Sequence, residues 1–233
     1  MSSVGAFLVL NNVSHGDFER VPFSSSSSSS SPLSWAARLK IAQGAARGLA
    51  HIHECSPRKH VHGNIKSSKI LLDDDLEAYI ADFGLNRLTS GAYKSSDSKQ
   101  APNHSLVSGF GSKIPTSPSA WYLAPEARAS GSKLTQKCDV YSFGIVLLEM
   151  LTGLSPGAKA KTSEDGLERL VRTAFREELP LSELVDPALL REVHAKKQVL
   201  AVFHVALGCT EKEPEMRPRM RSVSDSLDRI GCH

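Results

Sequence analysis

Aromatic residues are few: Phe, Tyr and Trp together make up 6% of the 233 residues. A core built from this chain must therefore rely on Leu, Ile, Val and Ala. Cysteine is scarce too, and Cys55, Cys138, Cys209 and Cys232 contain no C-x-x-C pair. That spacing excludes a disulfide framework and a zinc ribbon, and it reads as scattered buried thiols in a reducing compartment. Neither sign of charge dominates. Lys and Arg number 28 against 25 Asp and Glu, a net +3, too even a balance to argue for nucleic acid as a partner. Long apolar runs are missing as well. The most apolar stretch, Val140–Leu151, falls far short of the ~20 residues of a membrane span. The apolar start from Val4 has no basic flank of the signal-peptide kind, and Ser2 excludes N-myristoylation. The sequence reads as cytoplasmic and without a membrane span. What remains, 40% apolar and 23% charged residues, is ordinary globular usage.

Eight consecutive serines, Ser24–Ser31, lie between Pro22 and Pro32. Such a tract buries too little apolar surface to offset its ordering entropy, so residues 1–33 read as a disordered, low-complexity segment. Residues 34–231 read as the folded domain. Ser34 is a good N-cap, and Trp35, Leu39, Ala42, Ala46, Leu49 and His53 form one helical stripe. That helix should stop near Cys55, because Pro57 cannot continue it. Ile70–Leu72 and Ala78–Ile80 around Asp73-Asp74-Asp75 read as two short strands with an acidic turn. Residues 89–120, rich in Ser, Gly, Pro and Lys, read as a long flexible segment. Asp139–Leu151 is apolar nearly all round, the pattern of a helix buried on every side. Helices are also expected at Leu167–Phe175, Val199–Cys209 and Ser222–Ile230. The fold class is mainly α, a helical globule around one buried central helix with a small β patch.

Two groups of residues invite chemistry they do not support. His51, His53, His60 and His62 lie within twelve residues, but helical residues two apart point in nearly opposite directions. No shared metal follows. Gly109-Phe110-Gly111 has Ile114 where a nucleotide loop needs a third glycine, and neither a strand before it nor a helix after it.

A third group is a series of motifs in order. His62-Gly63-Asn64-Ile65-Lys66-Ser67-Ser68-Lys69 precedes Ile70-Leu71-Leu72. Asp82-Phe83-Gly84 follows, then the long polar segment, Ala124-Pro125-Glu126, Asp139 opening the apolar helix, and Arg217-Pro218. This series resembles the C-terminal lobe of a eukaryotic protein kinase: catalytic loop, metal-binding D-F-G, activation segment and A-P-E. The match is closer still to plant receptor-like kinases, the leucine-rich-repeat group among them. Ser34-Trp35, the run Ala45–Glu54, the run Asp139–Glu149 and Arg217-Pro218-Arg219-Met220 carry that likeness. The resemblance implies a Ser/Thr kinase domain on the cytoplasmic side of the plasma membrane, using ATP and Mg²⁺ and working with other signalling proteins or kinases. It implies that Lys66 sits near the transferred phosphate, Leu71 under the adenine and Asp82 on the metal. His62, Phe83 and Gly84 would be packing elements. Glu126 would pair with Arg217, and Asp139 would hold the backbone near His62.

The same resemblance exposes departures. The family's loop reads H-R-D or H-G-D, with Asn five residues after the Asp. Here Asn64 stands at the catalytic Asp position and Lys69 at the metal-binding Asn position. An amide has no useful basicity, and an ammonium cannot ligate Mg²⁺. The glycine-rich lid, strand lysine and helix glutamate of a small lobe are not visible, and 34 residues before Trp35 are too few for them. The expected function is a protein-kinase-like signalling domain, catalytically impaired, binding ATP and Mg²⁺ weakly or not at all, and acting as a binding or scaffold module. The alternative is an active ATP-dependent Ser/Thr kinase represented by a truncated chain.

Overall fold

The computed structural model describes residues 8–9, 32–55, 57, 59–84, 117–128, 132–157, 160, 166–192 and 195–231. The poly-serine tract, the Gly109-Phe110-Gly111 triplet and most of the expected flexible segment lie outside these residues. The chain runs β1 (Leu8–Val9), α1 (Trp35–Glu54), β2 (Ile70–Leu72), β3 (Ala78–Ile80), α2 (Gln136–Thr152), α3 (Leu167–Arg176), α4 (Leu181–Leu184), α5 (Pro187–Leu190), α6 (Lys196–Cys209) and α7 (Met220–Gly231).

Helix α1 starts where its cap allows. The Ser34 hydroxyl accepts a hydrogen bond from the Ala37 N–H at 3.3 Å, satisfying one of the donors a helix start leaves free. The whole expected stripe is buried, and so are Arg38, Ile41, Ala45, Ala50 and Ile52. The buried face is wide because α1 lies against both α7 and β3. Small residues permit the second contact: a side chain at Gly44 would meet the Ala78 Cβ at 3.2 Å.

Helix α2 is the centre. Every residue from Cys138 to Thr152 is buried, Asp139 and Glu149 included. A Cβ at Gly144 would sit 2.7 Å from Cys209 Cβ, so only glycine lets α6 approach this closely. Gly153, at φ 69°, ends the helix in the left-handed conformation and donates its N–H to Glu149 O.

The sheet has three antiparallel strands in the order β1-β2-β3. Leu71 faces Val9 on one side and Tyr79 on the other. Strand β1 is the part of the sheet that sequence patterning misses. It lies in the segment read as disordered, and two residues are too few to show an alternation. The end of the expected flexible segment also has structure, a 3₁₀ helix over Pro118–Tyr122. Among the thiols, Cys138 and Cys209 are buried but Cys55 is exposed, because it lies at the C-cap of α1.

Two buried polar networks pin the core. The Arg38 guanidinium is 2% exposed. It donates to Asp186 Oδ2 at 2.6 Å, Met150 O at 2.6 Å and Leu33 O at 3.1 Å, locking α1 to the end of α2 and to α5. On the other side, the Tyr122 hydroxyl donates to Glu149 Oε2 at 2.8 Å and lies 3.0 Å from Ser67 Oγ. Burial pushes the Glu149 carboxyl up to about 7, against the hydrogen bonds from Tyr122 and Ser67, which favour its charged form.

Arg38→Met removes one partner of a buried pair and leaves the Asp186 charge with only the Ala188 N–H to offset it. The expected loss is about 3–5 kcal/mol, read from urea unfolding; a loss below about 1 kcal/mol would show the pair to be dispensable. Glu149 gives a pH signature. Its folded-state pKa lies above the ordinary carboxyl value of about 4.3, so burial opposes its charged form. Stability should therefore fall as pH rises from about 4.3 to about 7, by an amount on the order of 3 kcal/mol, and fall no further from this group above that range. Glu149→Gln should remove this component, leaving a flatter stability profile between pH 5 and 8 than the parent chain gives.

Candidate functional site

The site is built on the loop between α1 and β2, and the buried Asp139 carboxylate organises it. Its Oδ2 accepts the His62 N–H at 2.7 Å and lies 2.9 Å from His53 Nε2, while Oδ1 accepts the Gly63 N–H at 2.7 Å. Gly63 is glycine where the backbone needs φ 76°. The His62 ring adds a second tie. Its Nδ1 accepts the Asn64 N–H at 3.3 Å, which leaves the proton on Nε2, 2.8 Å from Ala81 O. The loop is thereby bound to the residue before Asp82. His60 and His62 also pack on the Phe83 ring, at centroid distances of 5.7 and 6.3 Å. The four clustered histidines thus do separate work, with His51 exposed on the outer face of α1. Among the described residues, no three His, Cys, Asp or Glu side chains converge as a metal site.

The β2–β3 hairpin then brings Lys69 to Asp82. With Ile70 opposite Ile80, the residue before β2 lies beside the residues after β3, and the Ala81 N–H donates to Lys69 O at 2.9 Å. One step further, the Lys69 ammonium donates to Asp82 Oδ2 in a direct ion pair. That hydrogen bond from Lys69 is the main reason the Asp82 carboxyl is held below its usual range; partial burial opposes it, and the charges of Lys69, His62 and Lys66 reinforce it. The backbone at Asp82 is left-handed, at φ 64°, as is Gly84 at φ 88°.

Lys66 lies one 3₁₀ turn before Lys69. Its ammonium donates to Ser119 Oγ at 2.8 Å. Burial lowers its pKa, the neighbouring Lys69 charge lowers it further, and Asp82 partly offsets both. Asn64 is half-buried, as is Leu71 on β2. The loop therefore carries an amide and two ammoniums, and one of the ammoniums is paired with the Asp82 carboxylate. This donor set does not fit a divalent cation. Mg²⁺ needs oxygen ligands in a near-octahedral shell; here one position offers an ammonium, and that ammonium occupies the remaining carboxylate.

A separate cluster ties the 3₁₀ turn Pro125–Ala127 to the helical core. Arg217 grips Glu126 with two bonds, Nη1 to Oε1 at 2.6 Å and Nη2 to Oε2 at 2.8 Å. Its remaining N–H groups donate to the carbonyls of Glu211, Lys137 and Lys212. All five guanidinium donors are therefore satisfied, and the Arg217 guanidinium carbon lies 5.0 Å from the centre of the Tyr141 ring. Burial raises the Glu126 carboxyl, but the Arg217 hydrogen bonds outweigh it and the net shift is downward.

Some of these contacts carry no local sequence signal. The Tyr122–Glu149 bond and the Arg38–Asp186 pair join residues whose proximity depends on how the helices pack. The Lys69–Asp82 pair was within reach of a sequence argument, since a hairpin turning at Asp73–Asp75 sets its register.

Comparison with known proteins agrees with this geometry. The family model described as protein tyrosine and serine/threonine kinase matches residues 2–227. A protein of Arabidopsis thaliana named "Probable inactive leucine-rich repeat receptor-like protein kinase" is 39% identical over 200 residues, spanning 85% of this chain and 27% of its own length. From the same organism, the leucine-rich repeat receptor-like protein kinase PXC1 is 38% identical over 216 residues, spanning 85% of this chain and 29% of its own length. The proline-rich receptor-like protein kinase PERK13 is 39% identical over 204 residues, spanning 85% of this chain and 26% of its own length. The chain thus spans between about a sixth and a third of the length of the curated relatives it matches. A mostly helical lobe around a buried central helix, the ordered loop motifs and a family match over almost the whole sequence lead to one conclusion: this chain belongs to the protein tyrosine and serine/threonine kinase family.

Proposed function

We propose that this chain is a receptor-like-kinase signalling domain that does not transfer phosphate and acts by binding other signalling proteins on the cytoplasmic side of the plasma membrane. The observation that carries this reading is the Lys69–Asp82 ion pair, with Asn64 on the same loop as Lys69. A phosphotransferase of this family has little covalent chemistry of its own. It positions the hydroxyl with a carboxylate, and it spreads the charge of the moving phosphoryl group onto metal ions. The amide of Asn64 can hold a hydroxyl by a hydrogen bond but cannot accept its proton. Asp82 would have to bridge a metal to the phosphates, yet its charge is already balanced by Lys69. Both losses act on the same transition state.

The framework supports a binding role. Arg217 still holds Glu126, and Asp139 still holds the loop, so the surfaces around them keep a fixed shape without catalysis. The names of some relatives carry the word inactive, which agrees with this reading. One contact favours the alternative, an active Ser/Thr kinase of which this chain is a part. Lys66 reaches Ser119 at 2.8 Å, an arrangement that would suit the positioning of a hydroxyl substrate.

The deciding experiment incubates the purified chain with radiolabelled ATP, Mg²⁺ and a generic basic substrate protein. Incorporation should stay at the level of the Asp82→Ala variant. Turnover above that level, lost in Asp82→Ala, would establish the active reading instead.

A further inference from the structure

The arrangement that excludes the metal creates a different charge pattern. Lys66 is the N-cap and Lys69 the last residue of one 3₁₀ turn, so the two ammoniums rise from one short stretch of the loop. The charge of each is felt at the same place: Lys69 lowers the Lys66 pKa, and both act on Asp82. Two ammoniums stand near the partly exposed Asp82 carboxylate, while the Asp139 carboxylate is buried beneath the loop against its N–H groups; a metal-loaded kinase site is built from oxygen donors. Each ammonium has three N–H donors. Among the described residues, Lys66 uses one on Ser119 and Lys69 uses one on Asp82, so both retain donors for a ligand. Lys69 and Asp82 are also partly open to solvent, at 26% and 35% side-chain exposure, so an incoming anion can reach the pair.

We infer that this loop binds the phosphates of a nucleotide in their metal-free form, with Lys69 taking the place of the divalent cation and Mg²⁺ acting as a competitor. This deepens the non-catalytic reading given above and rests on it. The chemistry decides the sign. A free triphosphate presents its full negative charge and all its oxygens to the two ammoniums. Mg²⁺ neutralises two of those charges and occupies oxygens the ammoniums would use. It finds no ligand in exchange, because Asp82 is held by Lys69. In a site built for the metal the order is reversed, and Mg²⁺ strengthens nucleotide binding.

The test is isothermal titration of the full chain with ATP, once in EDTA and once in saturating Mg²⁺. Binding should be measurable in EDTA and about fivefold or more weaker with Mg²⁺, as expected when the ligand loses charge facing two ammoniums. Inorganic tripolyphosphate should compete with ATP, and adenosine should compete poorly. Lys69→Asn restores an amide and frees Asp82; it should lose about tenfold in EDTA and should now bind better with Mg²⁺. Lys69→Arg keeps the charge and should retain the preference for EDTA, which separates this effect from misfolding. Thermal melts of both variants report that the fold is kept. Binding that requires Mg²⁺ in the parent chain would overturn the inference. So would competition by adenosine but not tripolyphosphate, or no binding in either buffer. None of these results restores phosphotransfer, so the non-catalytic reading stands or falls separately on the radiolabel assay.

Discussion

A single buried carboxylate holds the site in register. Asp139, 1% exposed, accepts the N–H groups of His62 and Gly63 and lies against His53. An ionised group in that position would be costly without such partners, and the partners it has are the backbone of the loop that carries Asn64, Lys66 and Lys69. Because Asp139 belongs to the central helix, the loop inherits the rigidity of the core. His62 passes that constraint across to Ala81, and so to Asp82. The positions of the site residues follow from packing of the central helix, and the chemistry follows from which side chains stand at those positions.

This separates framework from chemistry. The contacts that shape the lobe are well made: Arg217 satisfies all its donors around Glu126, Arg38 makes three hydrogen bonds in the interior, and Tyr122 reaches Glu149. The positions that would face a nucleotide's phosphates carry an amide and two ammoniums. A chain that keeps buried polar networks while two of its reactive positions each gain positive charge or lose negative charge retains a shaped surface, and a shaped surface is what a binding module uses. An amide at the catalytic carboxylate position and an ammonium at the metal-binding amide position are as specific a feature as the residues they stand in for.

Much of this was legible in the sequence, and the reasons differ by element. Helix α1 could be read from its stripe and Ser34, because capping and periodicity are local. The central helix could be read because a segment with no polar face has to be buried. The two strands of the hairpin were visible as short apolar pieces around an acidic turn. Strand β1 was not, since two residues carry no period and the ladder to β2 supplies all its definition. The substitutions at Asn64 and Lys69 are plain in the sequence, but the full consequence of the second depends on the fold. Lys69 reads in isolation as a missing ligand; the hairpin register makes it a partner that also occupies Asp82. The Arg38–Asp186 and Tyr122–Glu149 bonds were invisible because no local pattern pairs residues across separately packed helices.

The central claim is that Asp82 is closed to divalent metal by Lys69. Titration of Mn²⁺ into the ¹⁵N-labelled chain tests it directly, since a bound paramagnetic ion broadens nearby amide signals. The account predicts no selective broadening of Phe83 and Gly84 at Mn²⁺ concentrations that leave the rest of the spectrum intact. Selective loss of those signals at micromolar Mn²⁺ would contradict it.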